Sequence, residues 1–328
     1  MTIKYKNVYI NETATIAGPF EKKGPLKKYY DFTYDDFYMG ATTFEQAESK
    51  LIEESVSILL KKINYTKNKI DLFISGDLLN QTVASNYAAS NLNIPFLGIY
   101  NACATSVEGI IIGANMLENK MIKNCICCAS SHNLSAEKQF RYPVEYGAPK
   151  PNRSTFTTTG AASCFMTNDK KNIKVESSTI GRVVDLGMKD VFNMGAVMAP
   201  SAADTINRHL HDTKRDITYY DLIVTGDLGI IGSKILKDYM LIDYNIKLKK
   251  HIDTACCIFD LKKQNVYAGG SGPACAPLVT YSYLFSLMKK GKYKKILLVA
   301  TGALMNSTMV NQKLTIPAIS HAVSLEVV

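Results

Sequence analysis

A duplicated α/β fold, in which two similar halves are each built on a largely parallel sheet, is what this sequence predicts. Two observations carry the prediction: short segments recur in the same order, and strand-like runs alternate with amphipathic helical ones. FYMGA (37–41) returns as FNMGA (192–196), DLFISGDL (71–78) as DLIVTGDL (221–228), and ACA (102–104) as ACA (274–276). Any one match is weak, but their shared order over 150–172 residues points to duplication. After each MGA the pattern turns helical. Phe44, Ala47, Leu51 and Ile58 mark one apolar face, and Ala202, Ile206 and Leu210 another, with Pro200 placed in a first helical turn. Each DL…GDL run is a short β-branched strand leaving through Gly-Asp. Each ACA opens a helix: Val107, Ile110, Ile111, Ala114 and Leu117 line the first, while Pro277, Leu284, Leu287 and Met288 belong to the second. Lys-rich turns then lead into NCICCAS (124–130) and KILLVATGAL (295–304). Strands alternating with helices imply parallel sheets with right-handed crossovers. The halves are 1–168 and 169–328, meeting in the polar run NDKKNIK (168–174).

The 328 residues are 47% hydrophobic and 20% charged, enough for a large core and too mixed for disorder. No run reaches the roughly 20 apolar residues of a spanning helix. The N-terminus lacks the apolar core of a signal peptide, so an intracellular protein is expected. Five of the eight cysteines (Cys125, Cys127, Cys128, Cys256, Cys257) sit in apolar, strand-like runs and read as reduced core residues. The net charge of +9 comes from scattered lysine clusters with few arginines, which argues against a nucleic-acid reader and leaves solvated faces or an anionic surface.

In such sheets ligands bind beyond the carboxyl ends of the strands, where loops 76–82, 101–106, 225–233 and 269–276 should converge. Cys103, in YNACATS, stands where the chain turns into a helix, and the helix terminus should lower its pKa and make a nucleophile. GGSGPACAP (269–277) reads as a tight turn facing the same crevice, more than as a phosphate cradle. His132 follows the strand CICCASS, and His321 stands in the apolar segment IPAISHAVSLE (316–326). His209 and His211 read as solvated. No zinc spacing occurs, since alternate residues of CICC point to opposite faces of a strand, and no cofactor is indicated.

The halves, the cysteine at the mouth of a helix and GGSGPACAP together resemble the thiolase and ketoacyl-ACP synthase superfamily. Within it, INETATIAGPFEKKGPL (10–26), YNACATS (100–106), FRYPVEYGAPKP (140–151), VTGDLG (224–229), AGGSGPACAP (268–277) and IPAISHAVSLE resemble the stage V sporulation protein AD family. The resemblance implies a layered α-β-α-β-α sandwich. It also implies a role in sporulation: binding dipicolinic acid, free or as its calcium chelate, and supporting its uptake into the spore as a peripheral member of a membrane transport assembly. Its partners would be the other subunits of that assembly. A condensing synthase needs two polarising groups beside its cysteine. Here Gly226-Asp227 and Ser271 fall at those positions, so a relic nucleophile without its partners is expected, with a Cys-dependent acyltransferase of the ketoacyl-ACP synthase III type as the alternative. The expected ligand site comprises Cys103, Asp227, Gly270, Ser271, His132 and a His321 imidazolium, with Arg141 and Arg153 closing over it. The superfamily also implies a homodimer, joined edge to edge through NCICCAS.

Overall fold

The computed structural model describes residues 1–140 and 150–328. Each half supplies five main strands. They are β1 (Tyr9–Ala17), β2 (Leu72–Gly76), β3 (Phe96–Gly98), β4 (Asn124–Ser131) and β5 (Gly160–Thr167) in the first half. The second has β6 (Ile173–Thr179), β7 (Leu222–Thr225), β8 (His251–Asp253), β9 (Lys295–Ala303) and β10 (Ala318–Val327). Spatial order is β3-β2-β4-β5-β1 and then, repeated, β8-β7-β9-β10-β6. The halves join through a short antiparallel contact, Tyr9 with Lys174 and Ile10 with Ile173.

Three apolar clusters separate the layers. Helices α1 (Phe44–Ile63) and α2 (Val83–Leu92) cover the outer face of the first sheet through Leu51, Ile52, Val56, Leu59 and Ala88. Later in the chain come α3 (Thr105–Glu118), α4 (Asn133–Phe140), α5 (Met194–Thr213) and α6 (Gly229–Tyr244). The last, α7, runs from Cys275–Leu278 through a π-helical segment, Val279–Leu284, into Phe285–Lys289. α5 and α6 cover the outer face of the second sheet. Between the sheets lie α3 and α7, whose Val107, Ile110, Leu117, Leu278 and Leu284 share one core with residues of both. This is the α-β-α-β-α arrangement. The CICC run shows the strand geometry: Cys125 and Cys127 enter the central core, Ile126 and Cys128 the outer one.

Several details differ from expectation. NCICCAS is no edge, because β4 is hydrogen-bonded to β2 on one side and β5 on the other. Among the described strands the outer strand of that half is β3. α5 starts at Met194, with the Asn193 side chain accepting the Ala196 N–H, so Pro200 lies inside the helix. Cys256 and Cys257 fall in a short helix, Ala255–Ile258. His209 is buried, bonded to Thr179 and Tyr220, whereas His211 is exposed as expected. All eight cysteines are free.

Candidate functional site

The two central helices begin at one place. A sharp turn with Ala102 at φ +47° delivers Cys103 to the head of α3, and the turn Gly270–Gly272 leads into α7. Gly272, at φ +102°, approaches the Ser131 hydroxyl so closely that a Cβ would lie 2.6 Å from it. Its N–H donates to the Cys103 sulfur at 3.2 Å. The two GDL strands feed the same place: Gly76 packs against Thr105 at the head of α3, and Gly226 against Ala276 at the head of α7.

Asp227, at φ +70°, is fully buried here. Among the described residues neither of its oxygens has a hydrogen-bond partner of normal geometry, and its neighbours are the thiols of Cys103 and Cys275. Burial raises its pKa well above the usual carboxylate range, with Asp253 adding like-charge repulsion. Asp253, raised to about 6 by burial, accepts the N–H groups of Leu228, Gly229 and Ala255 and so fixes the loop that carries Asp227. Cys103 is correspondingly a thiol. Burial first, and then Asp227, push its pKa well up, outweighing the helix terminus expected to lower it.

His321 lies in the same region, in a different role from the expected imidazolium. Its Nδ1 accepts the Gly181 N–H at 3.1 Å, which leaves the ring proton on Nε2. Nε2 meets the side-chain amide of Asn101 at 3.2 Å. Nε2–H therefore needs an acceptor, which assigns the Asn101 amide oxygen, in place of the nitrogen, to the side facing the ring. Burial pushes the His321 pKa down to about 4, so the ring is neutral, and it braces Asn101, two residues before Cys103.

The remaining expected residues are placed differently. His132 is fully buried and spent on structure. Its Nε2 donates to the Phe37 carbonyl at 2.8 Å, its Nδ1 accepts the Leu134 N–H at the start of α4, and its ring stacks on Phe44. Arg153 pairs with Asp190 at 2.7 Å on the surface. Arg141 lies outside the described residues. Gly270 and Ser271 form a two-residue parallel pairing with Phe156 and Thr157, with Ser271 half-buried.

Residues that sequence reasoning passed over line the interior beside Cys275. Glu21 is fully buried and its pKa is raised to about 8; Oε1 accepts the Thr159 N–H while Oε2 has no partner among the described residues. The Tyr30 hydroxyl, near Glu21 and Cys275, is likewise buried and unpartnered, as is that of Thr158. Only the second ACA signalled Cys275, whereas EKKG gave Glu21 the look of a surface residue. No group of His, Cys, Asp and Glu among the described residues is arranged to hold a metal ion.

A cysteine at the joint head of two central helices in duplicated halves defines a protein of the thiolase fold. Solved structures of Xanthomonas campestris OleA share it. A single-substitution variant of OleA aligns with TM-score 0.60 at 16% identity over 99% of both chains. The cerulenin-bound protein aligns with TM-score 0.62 at 17% identity, over 99% of this chain and 100% of that one. More specifically, the family model for stage V sporulation protein AD matches residues 1–326. The stage V sporulation protein AD of Bacillus subtilis (strain 168) is 45% identical over 319 residues, 97% of this chain and 94% of that one. The chain belongs to the stage V sporulation protein AD family.

Proposed function

We propose that this chain is a non-catalytic binding protein of sporulation. It holds dipicolinate in the crevice at Cys103 and serves its uptake into the spore within a membrane transport assembly, whose other subunits are its partners. The observation that carries this reading is the carboxyl of Asp227 beside the Cys103 thiol. Acyl transfer needs a thiolate and two donors aimed at a developing oxyanion. Here the sulfur is protonated, His321 is committed to Gly181 and Asn101, and the nearest donor, the Gly272 N–H, is directed at the sulfur itself. A flat dianion would meet a protonated Asp227 and the positive end of the α3 dipole beside Cys103.

Retention of a cysteine at a helix head favours the second reading, a Cys-dependent acyltransferase. Calorimetric titration with dipicolinate, its calcium chelate and acetyl-CoA separates the two. Binding of one of the first pair, with no condensation of acyl-CoA with malonyl-ACP, is expected. Turnover abolished by Cys103→Ala would establish an enzyme instead.

A further inference from the structure

The end of the first half remote from Cys103 carries lysines that pair with no carboxylate among the described residues, although Lys67 donates to the Asn91 carbonyl and Lys69 lies over the Tyr65 ring. The loops there present Lys6, Lys67, Lys69, Lys120, Lys123 and Lys170, all exposed. Lys67, Lys120 and Lys123 line one shallow cleft together with Met121, and Lys6, Lys120 and Lys123 line the next. Among the described residues none of the six joins an ion pair. Two of the acids among them hold the turns in shape, Asp71 accepting the N–H groups of Lys123 and Asn124 and Glu118 those of Lys6 and Asn7, while Asp169 is exposed beside Lys170. At the apex, Lys120 at φ +56° turns the chain so that Met121 projects with 70% of its surface exposed.

We propose that this end is a docking face for an anionic lipid bilayer, with Met121 entering the headgroup layer and the lysines meeting lipid phosphates. Its cations are all lysine, whose long stems can lie along an apolar boundary while the ammonium stays in water. A nucleic-acid face would offer arginine forks and free rings. Among the described residues this one has no arginine, and its Tyr65 ring packs edge-on against Phe165 with Lys69 above it. α3 runs from beside Cys103 to Glu118 at this end, about 20 Å at helical rise. A bilayer seated here would leave the crevice open. The inference rests on the membrane part of the proposed function and not on the ligand.

The test is co-sedimentation of the full chain with vesicles of equal parts phosphatidylglycerol and phosphatidylcholine, beside vesicles of phosphatidylcholine alone. Binding to the anionic vesicles only, weakened by salt, is expected. Lys120→Glu with Lys123→Glu should weaken it roughly tenfold or more, and Met121→Asp should weaken it further. Reversing Lys290 and Lys292, in the equally basic turn of the second half, should cost much less. Equal losses from both pairs, no vesicle binding by the unaltered chain, or charge reversal that removes only binding to an RNA or DNA oligomer would overturn the proposal. Dipicolinate titration of the same variants separates the two readings: retained ligand affinity with lost vesicle binding supports this face. Vesicle binding that follows the expected pattern without any dipicolinate binding leaves the face standing and removes the ligand.

Discussion

Burial with no cation beside it raises the Asp227 pKa and favours the protonated carboxyl, which is a donor. That removes the difficulty of an aspartate facing a dianion. Dipicolinate affinity should be greatest at the acidic end of the accessible range and fall as pH rises through the raised Asp227 pKa, where a carboxylate would repel the ligand. Asp227→Asn, which keeps a donor and cannot ionise, should flatten that dependence. A wild-type affinity that does not fall as pH rises would refute it. Glu21 makes the matching prediction for stability. Its folded pKa of about 8 lies above the ordinary 4.5, so folding binds a proton. Below pH 4.5 both states are protonated and nothing is lost; as pH climbs toward 8 only the unfolded chain ionises, and stability falls. Glu21→Gln should therefore be more favourable at pH 8 than at pH 4 by roughly 4 kcal/mol, at about 1.4 kcal/mol per pH unit, since any cost of burying the amide is the same at both. Equal denaturant midpoints at both pH values would contradict it. That Cys103 and Asp227 would meet was legible because both stand at loop ends after recognisable strands. Glu21, Tyr30 and Asn101 were not, since a buried polar side chain carries no periodic signal.

Elements were far more legible than single side chains. The recurrence of DL…GDL anticipated two strands in equivalent places, and the ACA pair anticipated two central helices. Alternation correctly divided CICC between two cores. Boundaries were harder: Asn193 caps α5 and draws Pro200 inside the helix, although proline alone suggested a start. What the sequence concealed about β10 is its tie to the segment before α5. His321 reads as a residue of an apolar strand, and only the tertiary fold places it between Gly181 and Asn101. Gly181 packs on the Ser320 carbonyl with no space for a Cβ. Gly181→Ala should thus destabilise by about 3 kcal/mol, read as a lowered denaturant midpoint. It should also detach the N–H that fixes the His321 tautomer, and an unchanged imidazole NMR spectrum would contradict that link.

For the whole molecule, the two ends of the continuous sheet are unlike, although duplication makes them equivalent. β8, the outer strand of the second half, follows the lysine-rich 247–250 segment, a charge pattern that discourages pairing. β3, its counterpart, has no such guard. Leu97 is 42% exposed in the strand itself, and Tyr87 and Tyr100 stand exposed nearby in sequence. An unguarded apolar edge invites a second strand, and β3 leads within a few residues into Asn101 and Cys103. β4 has both its edges filled, so we propose that a homodimer would form not at NCICCAS but at β3. A two-fold dimer through β3 would extend each first-half sheet into its partner and place the partner beside the crevice. Sedimentation equilibrium at micromolar concentration should give twice the chain mass for the unaltered protein, and the mass of one chain for Leu97→Lys. A wild-type monomer, or a Leu97→Lys variant that still dimerises, would rule this edge out.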